Sequence, residues 1–212
     1  MKTFAKIFLA SVTLIFAFAS FIEDKVFVGK IRYRYSFTNL AGDDITDRLS
    51  PFFGKEQIFF IDTNNYKAYN ENNQWVQLYN GNANLYYYFS KDSTAVKIYA
   101  STQSAQKITV TKLTKTEKIA GYNCNTVLIE TENTSTIYYY NSSVRTLSQK
   151  FAMHNLSEWN KYLEATNGAL PLKYIMTDLK KKYIWTSTAF EVTEMSLRNE
   201  DFKFPSNFKL KN

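Results

Sequence analysis

The sequence predicts a mainly β fold with minor α: one antiparallel curved sheet or unclosed β-barrel, with one or two helices over the concave side. Three observations predict it. Short segments that alternate apolar and polar residues fill the chain after residue 25. Asn- and Gly-containing turns separate them. Only two segments carry helical spacing.

The first strand is expected over residues 26–37. Phe27, Ile31, Tyr33, Tyr35 and Phe37 fall on one face, and Lys30, Arg32, Arg34 and Ser36 on the other. One face is therefore buried and the other wet. Similar segments follow at 58–62, 66–69, 75–79, 85–89, 96–100, 108–113, 122–130 and 136–140, and longer ones at 170–177 and 183–195. Asn64-Asn65, Asn72-Asn73, Asn80-Gly81-Asn82 and Ala120-Gly121 lie between them. Asn and Gly tolerate the positive φ that tight hairpins need, so neighbouring strands are expected to run antiparallel.

A short helix is expected over 44–50, capped by Asp43 or Asp44 and stopped by Pro51. A second is expected over 155–165. Asn155 and Glu158 have capping-box spacing there, Leu156, Trp159 and Leu163 share a stripe, and Gly168 supplies a left-handed terminator. That stripe suits a helix lying on the concave side of the sheet.

The amino end reads as a secretory signal. Lys2 and Lys6 precede an apolar segment at 7–19, and Ala17-Phe18-Ala19 offers a small-x-small cleavage site. The apolar stretch is shorter than the roughly 20 residues that span a bilayer. The organisation expected is a signal peptide at 1–19 and one domain at 20–212. Cys124 is the only cysteine. It lies far from the cleavage site, so a lipoprotein anchor and an internal disulfide are both excluded by this reading. An exported, periplasmic or extracellular protein that is not a lipoprotein follows. Net charge is +7, but the basic residues are scattered, and Lys180-Lys181-Lys182 reads as a solvated turn. Export argues against nucleic acid as a partner.

No catalytic constellation is visible. His154 is the only histidine and precedes a helix cap, where a solvent-exposed or capping role is expected. Cys124 falls inside a strand, where a buried inert thiol is expected. Asp43, Asp44 and Asp47 lack the spacing of a calcium loop. Neither a metal site nor a cofactor is implied. An outer-membrane barrel is disfavoured by the helix at 155–165, the many strand lysines and the Leu210-Lys211-Asn212 terminus.

Aromatic residues make up 17% of the chain, and they decide where to look for a site. Leu85-Tyr86-Tyr87-Tyr88-Phe89 and Tyr138-Tyr139-Tyr140 put rings on both faces of their strands. Cross-strand packing is the plain explanation. A lined cavity or a stacking platform is the functional one.

Lys118-Ile119-Ala120-Gly121-Tyr122-Asn123-Cys124 is a turn of the form Lys-Ile-x-Gly-aromatic-x-Cys leading into a strand. With Gly168-Ala169-Leu170-Pro171-Leu172-Lys173 and the tail Phe202-Lys203-Phe204-Pro205-Ser206-Asn207-Phe208-Lys209, it resembles an exported family of unknown function in the superfamily of the lipoprotein carriers LolA and LolB. The resemblance implies an unclosed β-barrel with helices over its hollow side. It also implies an apolar cavity, which in relatives holds the acyl chains of lipids or lipoproteins. It carries over no catalytic residue. An opening strand, in place of a helix, leaves this chain fewer helices for a lid.

The expected function is therefore binding or carriage of a lipid or a lipidated protein by a monomer, with peripheral envelope contact. Alternation and the helix stripe nominate Tyr33, Tyr35, Tyr87, Phe89, Trp159 and Trp185 as lining residues. The alternative is a non-enzymatic envelope-interaction or glycan-binding module using exposed Tyr-rich strands. That alternative requires Tyr86, Tyr88, Tyr138 and Tyr140 to cluster on an open face.

Overall fold

The computed structural model describes residues 25–102 and 107–211. The proposed signal segment at 1–19 lies outside the described residues. Among the described residues, eleven strands form two antiparallel meanders. The first comprises β1 (Gly29–Asn39), β2 (Glu56–Ile61), β3 (Asn65–Asn70), β4 (Trp75–Asn80), β5 (Leu85–Phe89) and β6 (Thr94–Tyr99). The second comprises β7 (Thr109–Ile119), β8 (Tyr122–Glu130), β9 (Thr134–Arg145), β10 (Ala169–Asp178) and β11 (Tyr183–Glu194). A two-residue β12 (Lys209–Leu210) adds to β6 in parallel.

The meanders join where β1 pairs with β11, from Gly29 opposite Glu194 to Asn39 opposite Tyr183. The sheet order is β12-β6-β5-β4-β3-β2-β1-β11-β10-β9-β8-β7, with β12 and β7 at its two edges. It is one large unclosed sheet, as the sequence predicts. The first and last long strands meet in its middle, each with one apolar face to bury and one polar face to leave wet. Ile31, Tyr33, Tyr35 and Phe37 of β1 are buried, while Arg32 and Arg34 share Glu56 on the outside.

Helices and several short turns cover the concave face. α1 (Thr46–Phe53) follows β1, and α2 (Trp159–Ala165) sits between β9 and β10. Both depart from expectation in detail. Asp44 does accept from the Thr46 amide, but Pro51 lies inside α1 and Gly54, at φ 82°, ends it. The Asn155–Glu158 capping box is not formed as expected. Glu158 takes a left-handed φ of 56° and stands itself at the N-cap of α2. The Asn155 side chain instead donates to the Ser101 carbonyl and accepts from Asn160. Gly168 terminates α2 as expected, at φ 83°, donating its N–H to Leu163 O. A Cβ at Gly168 would collide with the Thr146 carbonyl.

Candidate functional site

Concave-side aromatics form one connected set. Tyr35 and Trp185 meet edge to face at 5.0 Å. Trp185 reaches Tyr174 at 5.8 Å, Tyr174 reaches Tyr138 at 6.1 Å, and Tyr138 reaches Tyr162 of α2 at 4.4 Å. Tyr162 then stacks on Trp159, which meets Tyr66 of β3. Register explains the alignment: Tyr138, Tyr174, Ser187 and Tyr35 are direct cross-strand partners on β9, β10, β11 and β1. Residues opposite one another share a face, so four strands contribute to one row.

Burial decides the chemistry of this row. It pushes the phenols of Tyr35, Tyr66 and Tyr162 well above their ordinary value, and raises Tyr33, Tyr138 and Tyr174 as well. They stay neutral at physiological pH. Tyr33 donates its hydroxyl to the Pro171 carbonyl at 2.7 Å. The indole N–H groups of Trp159 and Trp185 are buried with no hydrogen-bond partner among the described residues. The face is therefore apolar, with a few hydrogen-bond donors embedded in it.

Its two covers differ. At the α2 end, Phe151, Tyr162 and Leu163 have no accessible surface. His154 is also there, at 2% exposure, which corrects the expectation that it would be solvent-exposed or capping. It shares a 2.6 Å hydrogen bond with the Tyr66 hydroxyl and lies over Tyr79 at 4.4 Å. Burial lowers its pKa to about 4, so the ring is neutral. At the other end, α1 buries none of its residues. Phe53 rests on Phe37 at 5.5 Å and on Trp185 at 5.1 Å, while Phe52 is 75% exposed. Phe53 is not among the residues that the sequence nominates, because a helix stopped by Pro51 does not reach it.

The structure brings Tyr33, Tyr35, Trp185 and Trp159 to the concave side and separates Tyr87 and Phe89 from them. Tyr86 pairs with Tyr79 and faces the concave core, so Tyr87, which pairs with Leu78, faces the convex side. Phe89 follows Tyr87 by two and shares that side. There, the C-terminal segment supplies Phe202, Phe204 and Phe208 to a second apolar cluster with Leu78, Phe89 and Ala95. Three phenylalanines after the last long strand are the sequence signal that a second face needs covering. The four tyrosines named for an open platform do not form one. Tyr138 and Tyr140 pack against the main core, and Tyr86 donates to Gln77 Oε1 at 2.8 Å. Only Tyr88 of the four is exposed, at 46%.

Two pockets of about 360 Å³ each open at the surface, away from the concave row. One has a floor of Leu78, Tyr87, Phe202 and Phe204, with Asn65, Asn80, Asn82, Asn199 and Lys203 around it. The other lies between Lys25, Phe27, Tyr122, residues 142–145 and Glu194. Cys124 has no accessible surface, and burial pushes its thiol up to about 11, as an inert buried thiol requires. Among the described residues, no group of three or more His, Cys, Asp or Glu could hold a metal ion.

An unclosed antiparallel sheet with helical covers on its concave face defines the class of fold. The chain belongs to a family described as a domain of unknown function, DUF4412, matched over residues 67–208. That span contains the 118–124 and 168–173 motifs that resemble a family of unknown function, and it ends within the aromatic tail. Among solved structures, PNGF-II is similar at 14% identity and a TM-score of 0.47, covering 87% of this chain and 31% of its own. The chain thus spans about a third of that protein's length. A LolA superfamily protein, NE2245 from Nitrosomonas europaea, is similar at 10% identity and a TM-score of 0.39, with 84% and 90% covered. An uncharacterized conserved protein from Thermus thermophilus is similar at 5% identity and a TM-score of 0.45, with 85% and 89% covered. No curated protein matches the chain.

Proposed function

We propose that this is an exported, soluble protein that binds or carries a hydrophobic ligand, a lipid or the acyl chain of a lipidated protein. Residues 1–19 direct export to the periplasm and are removed. The protein acts as a monomer and by binding alone. The ligand lies between the concave face and α1, with Tyr35 and Trp185 as the wall, Tyr33 deeper, and Trp159 of α2 at the far end.

One observation carries the reading: α1 covers an aromatic floor without burying any residue of its own. Its first turn is tied to β1 through Thr46 and Phe37, and Lys55 O, just past its end, accepts from the Tyr35 amide. Of residues 45–55 only Ile45, Leu49 and Phe53 touch the core. Displacing it exposes little new apolar surface of its own, while each methylene of an entering chain gains about 0.8 kcal/mol. The Trp185 N–H would then meet the polar end of the ligand.

The test is native mass spectrometry of protein exported by its own host and purified without detergent, paired with uptake of a fluorescent fatty acid. A released lipid mass, or uptake that blue-shifts Trp185 emission, is the expected result. A clean apo mass with no uptake sinks the proposal.

A further inference from the structure

We propose that the pocket between the convex face of β4–β5 and the C-terminal segment binds a neutral saccharide of one or two pyranose rings. It lies across the sheet from the lipid site, so the two readings stand or fall separately.

The walls carry the argument. Tyr87 and Phe204 are half-buried, with ring centroids 5.0 Å apart and planes at 56°. Aromatic faces of this kind accept the C–H face of a sugar ring. Amides share the lining with them. Asn80 Oδ1 is used by the Ala83 N–H and Asn82 Oδ1 by Asn64 Nδ2, so the Nδ2 groups of Asn80 and Asn82 are without a partner among the described residues. Asn199 is exposed, on the short helical turn Asn199–Phe202, and its side chain has no partner among the described residues. Among those residues no carboxylate lines the pocket, and Lys203 is its one charged group. Uncharged donors and acceptors around an aromatic wall match hydroxyl-rich, neutral ligands. An acyl chain there would leave the amides unpaired at a cost. A volume of about 360 Å³ sits at the small end of the roughly 300–1,000 Å³ typical of ligand sites, enough for a mono- or disaccharide.

The site is held in shape before any ligand arrives. Gly81 N donates to Asn65 Oδ1 at 3.2 Å, and a Cβ on Gly81 would strike the Asn64 carbonyl, so the two amide-bearing turns are clasped together. On the other side, Lys67 anchors the tail. Its ammonium lies 5.7 Å from the Phe202 ring and 5.4–5.7 Å from Phe60, Tyr69 and Trp75. Preorganised walls reduce the ordering cost of binding.

Saturation-transfer NMR on the full chain tests this, using methyl glucoside, methyl galactoside, methyl mannoside, N-acetylglucosamine and its β-1,4 disaccharide. At least one sugar is expected to receive saturation. Tyr87→Ala should weaken it several-fold to about tenfold, with fatty-acid uptake unchanged. Tyr88→Ala, on the other face of β5, should leave sugar binding intact. If Tyr87→Ala does not fold, Asn199→Ala on the exposed rim replaces it and should weaken binding several-fold. No transfer to any of the sugars, or undiminished binding in folded Tyr87→Ala or Asn199→Ala protein, overturns the proposal.

Discussion

Two helical covers lie over the same concave face, and they are held by different physics. α2 and the turn before it insert Phe151, His154, Tyr162 and Leu163, each at 2% exposure or less. Their rings meet Tyr66, Tyr79 and Tyr138 on the sheet, so this cover is part of the core. α1 lies on Phe37 and Trp185 with only half-buried side chains and leaves Phe52 to solvent. Helix length does not separate them, at 8 residues for α1 and 7 for α2. What separates them is how completely their side chains are buried. In the proposed carrier reading, α2 is the firm wall and α1 the movable one.

The largest expected effect breaks the firm cover. Leu163→Ala should cost about 3 kcal/mol, because a fully buried leucine loses its transfer energy and leaves a cavity. Urea unfolding with an unchanged slope checks it; a loss below about 2 kcal/mol, the low end for such truncations, would make α2 as loose as α1. A comparable effect should come from His154. Its folded pKa of about 4 lies below the unfolded value of about 6.5, so the unfolded chain takes up the proton first. Stability should therefore fall as pH drops from about 6.5 toward 4, by about 3 kcal/mol from this group, and level off below. His154→Gln should lose that part of the slope. A slope identical in the variant would mean that the ring is not buried as described.

These two residues also mark where the sequence is legible and where it is not. Leu163 is readable as an inward residue because its stripe with Trp159 follows the helical period. His154 is not, because its burial depends on Tyr66, 88 residues away. Strand alternation separates the two faces of β5 but does not say which faces inward. From sequence, Tyr87 and Phe89 are grouped with the concave set, yet the tail gives their face a cover of its own. Pro51 reads as a stop, but α1 runs past it to Phe53, the ring that rests on Trp185. β12 has two residues, too few for any periodicity to be seen.

Smaller effects sharpen the contrast at the less buried cover. Phe53→Ala should cost about 1 kcal/mol, since a half-exposed ring gives up only part of its burial energy. In the lipid-binding reading it should also change fatty-acid uptake, in affinity or rate, more than Leu163→Ala does at matched folded fraction. Stability loss equal to that of Leu163→Ala would erase the distinction between the covers.

Cys124 gives the smallest effect and the finest discrimination. Its thiol has no accessible surface, and burial holds its pKa at about 11, so at about pH 8 the folded protein carries little thiolate and offers no path to it. A thiol reagent should leave native protein unmodified on the timescale in which it fully labels protein in urea. Labelling then reports only openings of the main core. Leu163→Ala, which weakens that core, should speed it, while Phe53→Ala should leave it near the native rate if α1 moves without the core opening. Acceleration by both variants to the same degree would mean that the two covers open as one cooperative unit, and that α1 is no independent lid.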